Sequence, residues 1–166
     1  MSANLLPAKL DPSSVAVIVD TREQRPLDLG PLRVRRAGLD TGDYALAGCE
    51  TLRIERKSLP DLIACCGRER ARFDREIERL RAYEVAVLLV EASWADVELG
   101  QWRGSIKPSH VEGALLGWAA KGIQVELVGN RERAGRFASR LLYTVARRRY
   151  RELRTLLENQ REPVHG

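Results

Sequence analysis

Residues 42–57 read GDYALAGCETLRIERK. Two short runs, Tyr44–Ala47 and Thr51–Lys57, flank a turn around Gly48, the pattern of two strands joined tightly. Side chains alternate faces along a strand. Leu52 and Ile54 therefore point into a core, and Glu55 and Lys57 share the opposite side. Arg56 falls opposite Glu55, so it packs inward and pairs with Asp20 or Asp61. Asp43 opens the first of the two strands, and the hairpin brings it towards Glu55. A carboxylate beside an ammonium suits one task well: the acid holds a divalent cation and the ammonium steadies a phosphate or an attacking water. Hard carboxylate oxygens favour Mg²⁺ or Mn²⁺.

The flanking sequence supplies the rest of the fold. Val15–Asp20 (VAVIVD) is a buried strand ending on an acid, followed by Thr21, Arg22 and Glu23. Leu32–Ala37 alternates as a strand does, and residues 1–14, with Pro7 and Pro12, read as a flexible arm. After Lys57, Ser58 caps a helix with Pro60 and Asp61 in its first turn, and Gly67 ends it. Arg70–Tyr83 is amphipathic, with Phe73, Ile77 and Leu80 on one face. Arg68, Arg72, Arg75 and Arg79 line another stripe, either a solvated face paired with Glu76 and Glu78 or a contact for a nucleic-acid backbone. Val85–Glu91 is a second buried strand, and a short helix runs from Ser93 to Leu99. Ser109 and Glu112 are spaced as a capping box for a helix from Pro108 to about Lys121. Ile123–Val128 is a last strand, and Asn130 caps the final helix. A strand meander followed by alternating strands and helices predicts an α/β domain with a central mixed β-sheet flanked by helices.

The composition narrows the function. The 166 residues carry a net charge of +5, and 24 of the 28 basic residues are Arg. Arg matches phosphate oxygens in two-point contacts, and a pI near 9.4 fits a nucleic-acid partner. Cys49, Cys65 and Cys66, with only His110 and His165, form no zinc ligand set and read as reduced thiols of a cytoplasmic protein. No Walker A loop, GxGxxG, HExxH or GxSxG motif is present. No apolar run approaches the ~18 residues of a membrane span, and the first residues lack a signal-peptide pattern.

The spacing Asp43-x₁₁-Glu55-x-Lys57 is similar to the PD-(D/E)XK pattern of restriction-endonuclease-like nucleases. With Asp20-Thr21-Arg22-Glu23, Gly42-Asp43-Tyr44, and Glu55-Arg56-Lys57 followed by Asp61, the chain resembles the XPF-type structure-specific endonuclease family, in particular its small phage and bacterial members. Arg72-Phe73 and Arg79-Leu80 look like that family's RF…RL helix, in which Glu76 stands where relatives often carry Gln. The resemblance implies a restriction-endonuclease-like fold and a divalent-metal-dependent DNA endonuclease. Its substrate would be branched or flapped DNA in repair or recombination. Asp43, Glu55 and the backbone carbonyl of Arg56 would bind Mg²⁺ or Mn²⁺, with Asp20 as a further ligand, and Lys57 would act on the attacking water or the scissile phosphate. Arg22, Glu23, Arg56 and Asp61 would complete the surroundings. Glu23 could equally pair with Arg22 or Arg25, and Asp61 could be a helix-start residue alone. Arg22, Arg68, Arg72, Arg75 and Arg79 would contact DNA.

The nuclease domain is expected at residues 15–149, with a helical tail at 150–166 too short for the helix-hairpin-helix domain of large members. A homodimer is expected, for which the last two helices, with Leu115, Leu116, Phe137, Leu141 and Leu142, are candidate surfaces, although a place in the core is the default reading of these residues. Other nucleases of the same fold, a junction resolvase or a phage recombination exonuclease, and a non-catalytic DNA-binding subunit are the alternatives.

Overall fold

The computed structural model describes residues 6–160. Six strands form one sheet: β1 (Ala16–Asp20), β2 (Arg33–Ala37), β3 (Tyr44–Leu46), β4 (Cys49–Lys57), β5 (Val85–Val90) and β6 (Gln124–Leu127). Their order is β2-β1-β3-β4-β5-β6. β1 pairs antiparallel with β3, and β3 with β4, whereas β2 lies parallel to β1 and β4, β5 and β6 run parallel. The mixed sheet expected from the sequence is present, with helices on both faces.

α1 (Leu59–Cys66), α2 (Arg70–Leu80), α3 (Trp94–Leu99) and α4 (Pro108–Ala120) bury Leu62, Phe73, Ile77, Val97, Leu115 and Trp118 against one face. α5 (Arg131–Asn159) covers the other, where Ala134, Ala138 and Leu142 meet Val17, Val19, Leu52, Ile54 and Leu89. β4 and β5 are sandwiched, so Leu52, Ile54, Leu88 and Leu89 are wholly buried, each contributing about 2 kcal/mol through the area removed from water. A Cβ at Gly135 would lie 2.6 Å from the Asp28 carbonyl oxygen, so only glycine lets α5 approach the segment before β2 this closely.

Several boundaries differ from expectation. α4 starts from Lys107, with no side-chain cap, because Pro108 supplies the first helical φ; Ser109 therefore sits inside the first turn. The capping box is instead at Ser93 and Asp96. α2 ends at Leu80, three residues short of Tyr83. The described part of the expected arm runs along α5: Tyr143, Tyr150 and Arg154 donate hydrogen bonds to the carbonyls of Leu10, Pro7 and Ala8. Residues 1–5 of that arm and 161–166 of the tail lie outside the described residues. α5 is one uninterrupted helix across position 150. Of the expected dimer surface, Leu115 and Leu142 are core, Phe137 and Leu141 are partly buried, and Leu116 is exposed. Among the described residues no helix is long and apolar enough to cross a membrane.

Candidate active site

The β3–β4 hairpin brings its acids together. The Asp43 N–H donates to the Ile54 carbonyl at 2.8 Å, which places Asp43 at the mouth of the hairpin beside Glu55. The Arg56 N–H donates to the Asp43 Oδ2 at 2.8 Å. On the α1–α2 side of β4, Lys57 Nζ donates to Glu55 Oε1, with the ammonium over the Phe73 ring, 5.1 Å from its centroid. Gly42 precedes Asp43 with φ +76°, and a Cβ there would meet the Ile54 carbonyl oxygen at 3.2 Å. Glycine thus permits both the turn and the close approach of the strands.

This pocket is electrostatically unbalanced. Burial pushes the Asp43 carboxyl up to about 6, against the Arg56 N–H and Lys57, which favour its charge. Burial, and then the adjacent Asp43 charge, push Glu55 up to about 7 despite Lys57. Burial also opposes the Lys57 charge, but Glu55 and Asp43 outweigh it and keep the side chain an ammonium. The buried Glu55 and the half-buried Asp43 thus share the Lys57 ammonium, an arrangement that a divalent ion on hard oxygen ligands would relieve. Asp43 and Glu55 are therefore the side chains that fit such an ion. Among the described residues no cluster of three or more His, Cys, Asp or Glu converges as a ready metal cage.

Asp20 is held differently. Its Oδ1 accepts from the N–H and Nε of Arg22 at 2.8 and 2.7 Å, and its Oδ2 from the Leu39 N–H at 2.6 Å. Burial opposes its ionisation, yet these donors hold the carboxyl down to about 2. The Asp20 N–H also donates to the Asp43 carbonyl, which ties the end of β1 to the site. Asp61 sits in the first turn of α1, where its Oδ2 accepts from the Ser58 hydroxyl at 2.6 Å.

Arg56 does not pair with Asp20 or Asp61. Its Nε donates to Glu91 at 2.6 Å and its Nη1 to Glu23 at 3.1 Å. Arg131, at the start of α5, reaches Glu91 at 3.4 Å and donates to the carbonyls of Arg25 and Pro26. The chain Glu23–Arg56–Glu91–Arg131 lines a cavity of about 360 Å³ together with Arg22 and Asp61. Glu91 and Arg131 escaped sequence reasoning. Glu91 closing an apolar strand at the same sheet end as Lys57 was the signal available.

The family model of the ERCC4 domain matches residues 19–141, a span holding every element of this site. The chain belongs to the ERCC4 domain family. XPF from Aeropyrum pernix is similar in fold: TM-score 0.65 and 22% identity over 91% of this chain and 75% of that one. XPF from Aeropyrum pernix in complex with DNA gives a TM-score of 0.61 and 21% identity over 83% of this chain and 66% of that one. No curated protein matches the chain significantly.

In this ERCC4 domain the arginines of the α2 stripe divide. Arg72 pairs with Glu69 and Arg79 with Glu76, whereas Arg68 and Arg75 are exposed and form no ion pair among the described residues. Glu78 pairs with Arg81 and Lys121, off the stripe.

The raised carboxyls dictate a pH dependence. Asp43 and Glu55 hold protons more tightly in the folded state than in the unfolded chain, so the metal-free protein should lose stability as pH rises from 5 towards 7.5. The loss is on the order of 3 kcal/mol. The lowered Asp20 acts oppositely: its stabilisation is complete above about pH 4 and is lost as pH falls from there to about 2, outside that window. Thermal unfolding in chelator at pH 5.0 to 7.5 measures this. A midpoint that rises steadily with pH would contradict the assigned environment of the pair.

Proposed function

We propose that this ERCC4 domain is a divalent-metal-dependent DNA endonuclease acting on branched or flapped DNA in repair or recombination. The observation that carries the reading is the half-buried Asp43 beside the buried Glu55, with Lys57 on the same face of β4 as Glu55. Asp43, Glu55 and the Arg56 carbonyl would hold Mg²⁺ or Mn²⁺. Bound there, the ion would supply Lewis-acid charge at a phosphoryl oxygen and lower the pKa of a water.

The protein's own groups do the remaining work. Glu55 and Phe73 fix Lys57, whose ammonium is aimed where negative charge develops on the scissile phosphate, so it favours the transition state over the ground state. The Arg56 N–H fixes the rotation of the Asp43 carboxylate. Arg22, Arg68, Arg72, Arg75 and Arg79 supply contacts to backbone phosphates, the part of nucleic-acid binding that gives affinity without sequence preference. The similar archaeal XPF bound to DNA supports a DNA partner.

Flap, splayed-arm, four-way and linear duplex DNAs, each with Mg²⁺ or Mn²⁺, test the proposal. Preferential endonucleolytic cutting of flaps or splayed arms is expected, with none in chelator. Equal cutting of all four would overturn the structural preference. Preference for four-way junctions, or degradation from ends, would replace it with a resolvase or an exonuclease. No cutting with either metal would leave a DNA-binding subunit.

A further inference from the structure

Glu76 lies on α2, outside the catalytic signature, yet it reaches the active-site hairpin. Its Oε1 accepts from the Thr41 hydroxyl and, at 3.2 Å, from the Gly42 N–H. Its Oε2 accepts from Arg79. Thr41 is buried, and Gly42 occupies the left-handed region next to Asp43. β1 and β4 hold Asp43 by its carbonyl and N–H. Among the described residues, Glu76 is the only side chain that bonds Thr41 or Gly42, the two residues leading into it. Burial opposes the Glu76 charge, but Thr41, Gly42 and Arg79 outweigh it and hold the carboxyl below its ordinary range. It is therefore a permanent acceptor at neutral pH.

We infer that Glu76 is a positioning residue that clamps the Thr41–Gly42 turn and so aims the Asp43 carboxylate at the cation shared with Glu55. The inference rests on the metal-nuclease reading above. Partners that orient metal ligands through a hydrogen bond typically contribute 10- to 100-fold in affinity. The same carboxylate accepts from Arg79, so the clamp joins α2 and one of its proposed DNA-contacting arginines to the turn that leads into Asp43.

The test is Mn²⁺ binding to the folded protein, measured by calorimetry without DNA, beside Mn²⁺-dependent cleavage. Glu76→Ala should weaken Mn²⁺ binding about 10-fold or more, and saturating Mn²⁺ should restore kcat to within a few-fold of wild type. Glu76→Gln keeps an oxygen acceptor for Thr41 and Gly42 and should stay within about 3-fold of wild type. Thr41→Val, which removes one donor and keeps the shape, should fall between the two and serves if Glu76→Ala does not fold. A role confined to stability would move the unfolding midpoint and leave Mn²⁺ affinity untouched, which would overturn the inference. So would a Glu76→Gln variant as impaired as Glu76→Ala, because charge and not position would then be the operative property. Asp43→Ala run alongside separates the two readings. If Asp43→Ala also binds Mn²⁺ normally, the metal site itself is wrong; if only the Glu76 variants do, the clamp is wrong.

Discussion

Glu55→Gln should lower metal-dependent cleavage by about 10³-fold, the scale on which single preorganised charge stabilisers act in a transition state, and should leave a folded protein. The substitution preserves volume and leaves an oxygen that can still accept from Lys57. It removes the buried one of two adjacent charges that repel each other in the absence of metal. In chelator at pH 8 the variant should therefore be as stable as the wild type or more so, because the neutral amide escapes the penalty of burying an ionised carboxylate. Lys57→Met should be equally inactive for a different reason. It keeps the apolar stem over Phe73 and loses the ammonium, so Mn²⁺ binding should persist or tighten as the competing cation is removed. Cleavage rates, unfolding midpoints in chelator and Mn²⁺ calorimetry on both variants distinguish the roles. A Glu55→Gln protein with more than a tenth of wild-type activity would show that Glu55 does not hold the ion. Lost Mn²⁺ binding in Lys57→Met would show that Lys57 shapes the site and does not serve the phosphate.

The contrast between these residues and the ones that sequence reading missed has a physical basis. Strand alternation is local and strict, so Leu52 and Ile54 had to face one core and Glu55 and Lys57 the other side. The hairpin is also local, but its short turn sets only the pair Leu46↔Cys49; a register shift between Leu46 and Tyr44 is what places Tyr44 opposite Ile54 and so Asp43 beside Glu55. Alternation gave the side on which Arg56 lies but not its neighbours. Those are set by which loop and which strand end abut it, and they come from 33 and 35 residues away. Asp20 illustrates the same limit: ending a buried strand marked it as important, but its four hydrogen-bond donors come from Arg22 in the turn after β1 and from the loop after β2. The described part of the N-terminal segment had no periodicity because it adds no strand or long helix; α5 side chains hold it by its main-chain carbonyls. At Pro108 the box-like spacing of Ser109 and Glu112 was outweighed by proline's fixed φ, a stronger constraint than a single cap.

Arg56→Met should destabilise the protein by about 3–5 kcal/mol, the cost of removing one partner from a buried ionic network. The side chains of Arg56, Glu23 and Glu91 are 12%, 7% and 11% exposed, so water reaches the network only from the cavity it lines and replaces the lost guanidinium incompletely. Glu91 would retain Arg131 at 3.4 Å, and Glu23 would retain only the Arg25 N–H at 2.8 Å. Glu23 is thus the group left most exposed to the penalty, and Glu23→Gln in the Arg56→Met background should recover about half of the loss. Glu23→Gln alone should cost far less, which makes the double-mutant cycle strongly non-additive. Chemical denaturation of the four proteins at pH 7 measures the coupling, and a loss below about 1 kcal/mol for Arg56→Met would show that the network is solvated in practice. The consequence for function follows from the main chain. The Arg56 N–H holds the Asp43 carboxylate, so the side-chain network that anchors the end of β4 also keeps that donor in place. Under conditions where Arg56→Met remains folded, its Mn²⁺ affinity should fall while Glu23→Gln keeps that of the wild type, because only the former frees the strand end that aims Asp43.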